Sequence, residues 1–183
     1  PYVLGEWPFF GRDFHVTPDV LIPRPETELL IETALAWLDA DPTRTAVVDV
    51  GTGSGIIAVT LAAERPSLQV TATDLSPAAL AIARSNANRH APTVTVIETD
   101  LLIGVPGPFD LIAANLPYIP SDPLKALPIF GREPTLALDG GPDGLTLIRR
   151  LLVDAPRALN PGGLILLEIE AGAGERTIDA AHE

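Results

Sequence analysis

The sequence predicts an α/β fold in which a mainly parallel sheet is covered by helices on both faces and is preceded by a β-hairpin. Short, almost wholly apolar segments alternate with segments of helical spacing, which is typical of parallel strands that are buried on both sides. A glycine-rich loop also joins the first of these apolar segments to a helix, as at the start of a βαβ unit. These two observations together define the fold class.

The first part of the chain predicts a hairpin, an extended segment and a helix. Residues 6–16 alternate aromatic and polar side chains around Gly11, which indicates two short antiparallel strands. Residues 21–25 contain two prolines, and a residue that precedes proline is pushed out of the α region, so this segment should be extended. In residues 26–38 leucine and alanine recur at helical spacing, which predicts the first helix.

Strands and helices then alternate along the chain. The predicted strands cover residues 46–50, 69–73, 94–98, 109–114 and 164–169. The predicted helices cover residues 56–64, 76–88 and 145–158. Ser76 followed by Pro77 is typical of an N-cap and a first helical position. Residues 160–163 should form a turn, and residues 116–144 form the longest irregular segment, which is often where function resides.

The composition favours a single globular domain and argues against several functions. The chain has 183 residues, 46% of them hydrophobic, and a formal net charge of -12. No basic face for phosphate backbones is visible, so we expect no stable nucleic-acid partner. There is no cysteine, and His15, His90 and His182 lie far apart, so we expect no metal site. No apolar run reaches the roughly 18 residues of a membrane span, and no signal peptide is evident, so we expect a cytoplasmic protein without membrane association.

The loop after the first parallel strand has the features of a nucleotide-binding turn. Its residues are Gly51, Thr52, Gly53, Ser54 and Gly55. Glycines let the chain turn tightly and let a ligand approach the main chain. Asp74 ends the next strand, where a carboxylate can accept both hydroxyls of a ribose. Asp100 follows the third strand and is placed to meet an adenine edge, with Leu101 beside it as an apolar wall.

The spacing of the glycines helps to distinguish which kind of nucleotide ligand the loop binds. A dinucleotide fingerprint reads GxGxxG, whereas this loop reads GxGxG and follows Asp49 in the preceding strand. The arrangement resembles motif I of class I S-adenosylmethionine methyltransferases, which implies a Rossmann-like sheet and S-adenosyl-L-methionine as the cofactor. A nicotinamide cofactor and a glycine-rich turn without a ligand are the alternatives. A dehydrogenase would also need a hydride-transfer residue, for which the sequence offers no convincing candidate.

The fourth strand ends in Asn115, Leu116, Pro117 and Tyr118, at the edge of the sheet where ligands bind. This segment resembles the Asn-Pro-Pro-Tyr motif of methyltransferases that act on planar amide or amine nitrogens, which implies that all four residues contact the substrate. The lone pair of such a nitrogen is delocalised, so the site must orient the NH2 group. The Asn115 side-chain oxygen and the Leu116 carbonyl can accept its two hydrogen bonds and stabilise the positive charge that develops on nitrogen. Leu116 replaces the usual proline, which keeps the carbonyl and makes the loop less rigid.

Three further segments resemble the peptide chain release factor glutamine methyltransferases, and this resemblance covers nearly the whole chain. The segments are residues 9–16, 21–28 and 132–144. The resemblance implies methyl transfer to N5 of the glutamine in the Gly-Gly-Gln motif of a release factor, which is the expected protein partner. It also implies that Arg24, Glu26 and Thr27 lie against the methionine end of the cofactor. Thr27 and Glu28 equally fit a helix N-cap and a first-turn acid.

The same resemblance suggests a division of the chain. Residues 1–25 are expected to be a hairpin and linker to a helical N-terminal domain that is missing, and residues 26–183 to be the methyltransferase domain without its last strands. The chain starts at Pro1 without an initiator Met and stops inside a helix-like stretch, which led to the same expectation of a fragment.

Three other functions stay open at this point. An N6-adenine DNA or RNA methyltransferase uses the same four-residue motif, but it would need a basic surface to bind the strand. Methylation of a ribosomal-protein glutamine is a closer alternative. The third is a catalytically silent module that binds the cofactor or pairs with an active partner, because Leu116 departs from the usual motif.

Overall fold

Five parallel strands form the central sheet in a computed structural model that describes residues 1–182. Two hairpin strands, β1 (Glu6–Phe9) and β2 (Arg12–His15), precede them. The sheet strands are β3 (Ala46–Val50), β4 (Gln69–Asp74), β5 (Thr95–Glu98), β6 (Phe109–Ala114) and β7 (Leu159–Leu167). Their order across the sheet is β5-β4-β3-β6-β7, so the winding reverses between β3 and β6. Ligands bind at such a switch point, beyond the carboxyl ends of the strands.

The helices are α1 (Glu26–Asp39), α2 (Ile56–Glu64), α3 (Pro77–His90), α4 (Ser121–Leu124), α5 (Thr146–Ala158) and α6 (Gly174–His182), with a 3₁₀ turn at Thr135–Ala137. Four of them lie where the sequence predicts them, and two more, α4 and α6, are not among the predicted helices. The side chain of Ser76 accepts a hydrogen bond from the Ala79 N–H at 3.2 Å, which confirms the predicted N-cap of α3. The predicted α/β class is therefore confirmed.

The central strands β3 and β6 are largely apolar because each of their two faces contributes to a separate core. Val47 and Leu111 belong to the core that α1 and α2 cover, whereas Val48, Val50 and Ile112 belong to the core that α5 covers. Successive side chains of a strand point to opposite faces. A strand between two helix layers is therefore mainly apolar on both faces, which explains the apolar runs in the sequence.

The hairpin packs against the same core as α1 and α2. Phe9 and Phe14 are buried there with ring centroids 6.1 Å apart in an edge-to-face arrangement. The neighbouring residue His15 is held by Asn86 of α3, whose side chain accepts from the His15 N–H at 2.7 Å and donates to the His15 carbonyl at 3.0 Å. The predicted hairpin is thus an integral layer of the molecule.

Two local predictions were wrong. Residues 160–163, expected as a turn, lie inside β7, where Leu159 pairs with Phe109 and Leu164 pairs with Leu111. They form a bulge that the Asn160 side chain holds by donating to Asp110 Oδ1 at 2.8 Å. An N-cap was one of the two roles predicted for Thr27. In the structure Thr27 lies inside the first turn of α1, and Pro25 occupies the N-cap position.

Candidate functional site

A cavity of about 320 Å³ opens at the carboxyl ends of the strands, at the switch point between β3 and β6. Its volume lies at the lower end of the range of small-molecule sites. Most of the predicted site residues line it: Arg24, Thr27, Gly51, Thr52, Gly53, Ser54, Asp74, Asp100, Leu101, Asn115, Leu116 and Pro117. Glu26, Gly55 and Tyr118 do not belong to the lining, although each lies next to residues that do. The fold therefore gathers one cluster from five separate segments of the chain.

The glycine loop is held by the ends of the two strands beneath it. The N–H groups of Gly51 and Thr52 donate to the Thr73 carbonyl at 2.9 and 2.8 Å. Asp49 is fully buried below the loop, and its Oδ2 accepts from the Thr52 hydroxyl at 2.5 Å and from the Ala58 N–H at 3.1 Å. Burial raises the pKa of Asp49 to about 7, against the opposing effect of these hydrogen bonds.

Asp74 both shapes the loop and faces the cavity. Its Oδ2 accepts from the Gly53 N–H at 2.9 Å, and its Oδ1 accepts from the Ser76 N–H at 2.8 Å. Each carboxylate oxygen has a second lone pair, so the group keeps acceptor positions for ligand hydroxyls. The sequence predicts that Asp74 faces a ligand, whereas its hydrogen bond with the Gly53 N–H carries no local sequence signal.

The Asp100 side chain forms an ion pair that the sequence analysis missed. Arg150 of α5 places its Nη2 2.7 Å from Asp100 Oδ2, and both residues line the cavity. Leu101 adopts the left-handed conformation with φ of 53° and is buried against the α5 core. Arg150 carries no sequence signal, because it is a charged residue on a helix fifty positions from its partner.

Asn115 directly follows the last residue of β6. Its Nδ2 donates to the Thr27 hydroxyl at 3.3 Å, across a sequence separation of 88 residues. The Leu116 side chain is buried against Gly51, where an added Cβ would lie 2.8 Å from Leu116 Cδ2. Gly51 is therefore required both by its φ of 74° and by this close approach.

Tyr118 is half buried beside several carboxyl groups. Burial raises the pKa of its hydroxyl, and the neighbouring charge of Glu168 acts in the same direction. The phenol therefore stays protonated at neutral pH and can act as a hydrogen-bond donor.

The loop formed by residues 138–144 supports the Asn-Leu-Pro-Tyr segment from behind. The Ile119 N–H donates to the Leu138 carbonyl at 3.0 Å, and the Gly140 N–H donates back to the Ile119 carbonyl at 2.8 Å. Gly144 approaches so closely that an added Cβ would lie 2.3 Å from the Tyr118 carbonyl oxygen. The Gly-Gly-Pro-Asp-Gly sequence, which the sequence analysis used only as part of a resemblance, thus has a structural role here.

Glu168 is the second site residue that the sequence analysis missed. It follows β7, and its N–H donates to the Ala114 carbonyl at 2.9 Å, so it lies beside Asn115. Burial raises the pKa of the Glu168 carboxyl, and hydrogen bonds from the Thr27 and Asn115 side chains oppose the shift. Its Oε2 is buried and has no hydrogen-bond partner within residues 1–182.

The segment before α1 is fixed to the irregular region by a buried carboxylate. Glu133 accepts from the Arg24 guanidinium at 2.7 Å and from the Ile22 N–H at 3.0 Å. Glu133 is 9% exposed, so the carboxylate of this ion pair is shielded from solvent, whereas the Arg24 side chain is 33% exposed. It holds Arg24 at the cavity wall, whereas Glu26 lies outside the lining at the start of α1.

Two negative findings apply to the described part of the chain. Within residues 1–182, no three or more histidine, cysteine, aspartate or glutamate side chains are grouped as a metal site would require. No helix in that part of the chain has the length and apolar character needed to cross a bilayer.

Solved structures with the same fold are methyltransferases. The ribosomal protein L11 methylase of Lactobacillus delbrueckii subsp. bulgaricus superposes with a TM-score of 0.61 at 23% identity, covering 86% of this chain and 67% of that one. A methyltransferase of Pyrococcus furiosus superposes with a TM-score of 0.65 at 22% identity, covering 94% of this chain and 78% of that one. At such identities the likeness concerns the fold, which is that of the class I methyltransferases.

The sequence defines the family within this class. Residues 25–123 match the methyltransferase small domain family, and the chain belongs to it. It is 46% identical over 180 residues to the release factor glutamine methyltransferase of Geobacter sulfurreducens and 51% identical over 176 residues to that of Cereibacter sphaeroides. These alignments cover 97% and 94% of this chain and 62% of each relative. The chain therefore spans about three fifths of the length of these relatives.

Proposed function

We propose that this protein binds S-adenosyl-L-methionine and methylates the side-chain amide nitrogen of the glutamine in the Gly-Gly-Gln motif of a peptide chain release factor. The observation that carries the proposal is the position of Asn115 and Leu116 at the end of β6, in the wall of the cavity above the glycine loop. The name shared by the curated relatives supports the same substrate. A release factor as the substrate also implies a cytoplasmic location.

The residues of the cavity fit this cofactor. An added Cβ on Gly53 would meet no atom within 4 Å among the described residues, so its main chain is open to a ligand. Asp74 offers carboxylate lone pairs for the ribose hydroxyls, and Asp100 and Leu101 offer a polar and an apolar wall for the adenine. Thr52 and Ser54 contribute the rest of the loop wall, while Gly55 adopts the positive φ that begins α2. When bound, the cofactor supplies an electrophilic methyl group on a sulfonium centre.

The Asn-Leu-Pro-Tyr segment supplies what an amide nitrogen needs in order to react. The Asn115 Oδ1 and the Leu116 carbonyl accept hydrogen bonds from the NH2 group, which directs its lone pair and stabilises the developing positive charge. Pro117 restricts the backbone between them and Tyr118. The Tyr118 ring then provides a flat face against the planar amide.

The acidic character of the protein favours this substrate over a nucleic acid. The formal net charge is -12, and phosphate backbones are bound by basic surfaces. We propose that no stable nucleic-acid binding occurs, so the N6-adenine activity remains the alternative outcome of the test below. We also propose that residues 1–25 connect the methyltransferase domain, residues 26–183, to the part of the relatives that this chain does not span.

The decisive experiment is mass spectrometry of a purified bacterial release factor after incubation with the full natural length of the protein and labelled cofactor. We expect the label on the glutamine of the Gly-Gly-Gln motif, and its loss by at least about a hundredfold in Asn115→Ala, the scale of removing one oriented acceptor. Calorimetry should show that Asn115→Ala still binds the cofactor. Label on DNA or RNA with an unmodified release factor would refute the proposal.

A further inference from the structure

Glu168 and Asn115 lie side by side at the carboxyl ends of neighbouring parallel strands. Ala114 pairs with Leu167, so the next residue of each strand occupies the same level of the sheet. Thr27 of α1 is fully buried and contacts Asn115. Three polar side chains from distant parts of the sequence therefore meet at the cavity wall.

We propose that Glu168, together with Thr27, is a positioning pair that fixes the orientation of the Asn115 carboxamide, so that Oδ1 rather than Nδ2 faces the substrate. This inference rests on the proposed function, in which Asn115 Oδ1 accepts a hydrogen bond from the target NH2 group. It changes the role of Thr27, which the resemblance had assigned to the cofactor.

The direction of the hydrogen bonds follows from what each group can donate. The Thr27 hydroxyl accepts from Asn115 Nδ2, and its single proton is then free for another acceptor. The Glu168 carboxylate is an acceptor only, and it follows the neighbouring strand at the same level as Asn115. The Nδ2 group is thus engaged by Thr27 beside this carboxylate, and Oδ1 is the end of the amide that is left for a ligand.

The opposite orientation of the amide is unfavourable for the same reason. Rotating the Asn115 carboxamide by half a turn would place Oδ1 against the Glu168 carboxylate, two acceptors without a proton between them. A buried polar group without a partner is unfavourable, and more so when it is charged. Glu168 therefore selects one of two orientations that have nearly the same shape.

Glu168 itself is not placed to touch the substrate. Its Oε2 is buried, and Glu168 does not belong to the lining of the cavity. The charged groups that act on it are Glu26 and Arg24 from the segment around the start of α1. Glu168 therefore acts on the reaction through its neighbours, and Asn115 is the neighbour at the same level of the adjacent strand.

Two isosteric substitutions test the pair. Glu168→Gln and Thr27→Val should each lower kcat for release-factor methylation by about tenfold or more, because misplacement of a reacting group is costly. The KM for the release factor and the Kd for the cofactor should stay within about twofold. Thr27→Ser keeps the hydroxyl and should restore the rate. Thr60→Val, another fully buried threonine outside the cavity lining, is the matched control and should leave kcat unchanged.

A double-mutant comparison separates positioning from general destabilisation. In the Asn115→Ala background, Glu168→Gln should change the residual rate by less than about twofold, since both substitutions remove the same interaction. A further tenfold loss in the double variant, or an undiminished kcat in Glu168→Gln, would overturn the inference.

A second readout is independent of the substrate. In ¹⁵N-labelled protein, the Asn115 side-chain NH2 signal, assigned by its disappearance in Asn115→Ala, should exchange its protons slowly in the wild type and in Thr27→Ser. The exchange should be several times faster in Thr27→Val and Glu168→Gln, because these lose a fixed acceptor. Equal exchange in all four proteins refutes the positioning pair even if the release factor is methylated. The expected exchange pattern without methylation refutes the proposed function alone.

Discussion

Asp49 is a carboxyl group without access to solvent at the base of the glycine loop. Its Oδ1 has no hydrogen-bond partner within the described residues, while its Oδ2 holds Thr52 and the first turn of α2. Burial raises its pKa to about 7, so the folded protein retains a proton that the unfolded chain has lost. The residue that stabilises the loop is therefore also sensitive to pH.

The sign of this effect gives a prediction for stability. Asp49 favours folding fully below pH 4, and this contribution is lost as the pH rises through about 7, because deprotonation of the buried group opposes folding. Asp49→Asn cannot titrate. The wild type should therefore lose about 2–3 kcal/mol of stability relative to Asp49→Asn as the pH rises from 5 to 8, at ~1.4 kcal/mol per pKa unit.

Urea denaturation at several pH values measures this difference. Asp179→Asn, at an exposed position of α6, is the control for removing one carboxyl group from the chain. Parallel stability curves for Asp49→Asn and the wild type would show that Asp49 is ionised in the folded protein.

The Leu116 side chain is packed into the cavity wall. From the sequence, Leu116 is predicted to offer its backbone carbonyl as an acceptor, and its side chain is a departure from proline in the substrate motif. In the structure its side chain is 3% exposed and covers Gly51, so it forms part of the cavity wall and not a loose loop position. The rigidity that proline would give to the backbone is provided here by packing.

At the scale of elements, the Asn-Leu-Pro-Tyr segment depends on the loop behind it. Residues 138–144 exchange backbone hydrogen bonds with Ile119, and the Ser121 N–H donates to the Gly141 carbonyl at 2.9 Å. The Ser121 hydroxyl also donates to Asp139 at 2.6 Å. The loop at residues 138–144 therefore packs against the segment that follows Asn115, and these hydrogen bonds order that segment without regular secondary structure.

Gly144→Ala should disrupt this support. Gly144 has a φ of 81°, and a Cβ there would collide with the Tyr118 carbonyl. We expect a loss of stability of about 2–4 kcal/mol, of which about 1–2 kcal/mol comes from the backbone conformation alone. Methyl transfer should fall by more than tenfold, because the clash displaces the substrate segment.

Gly162→Ala provides the matched control for that substitution. Gly162 has nearly the same φ, 79°, but a Cβ there meets none of the described atoms within 4 Å. It should therefore show only the backbone cost and keep its activity. Thermal denaturation and a methylation assay of both variants compare the two effects, and equal losses of activity would contradict the supporting role of the loop.

At the scale of the whole molecule, Asn86 connects three parts of the fold. Besides the two hydrogen bonds to His15 of the hairpin, its Nδ2 donates to the Ser54 carbonyl of the glycine loop at 2.8 Å. It is fully buried on α3. One side chain thus joins the hairpin, α3 and the loop, and the hairpin contributes to the site without touching it.

Asn86→Ala should therefore destabilise the whole protein. The substitution removes hydrogen bonds from two part-buried backbone groups of His15 and from the buried Ser54 carbonyl, and we expect a loss of about 3–5 kcal/mol. Asn88→Ala, at an exposed position of the same helix, should change the stability by less than about 0.5 kcal/mol. Urea denaturation of both variants measures the difference, and similar midpoints would contradict the role of Asn86.

The sequence by itself determined the class of the fold, the order of its strands and the polar residues at the strand ends that line the cavity. Apolar runs of strand length, the N-cap at Ser76 and the glycine loop are local signals, because they reflect the periodicity and backbone conformation of neighbouring residues. Asp74 and Asn115 were found in the same way, since residues at the ends of parallel strands meet at one edge of the sheet.

Only the tertiary structure decided which distant side chains meet. The cavity wall contains contacts between residues that are 50 or more positions apart in the sequence. They join Arg150 to Asp100, Thr27 to Asn115, and Glu168 to its neighbours Thr27 and Asn115, and each depends on how the helices and the last strand pack. The bulge at residues 160–163 likewise depends on pairing with β6, which overrides the local turn signal. Such a contact cannot be predicted from the sequence around either residue alone, because its energy depends on burial and on partners that folding brings together.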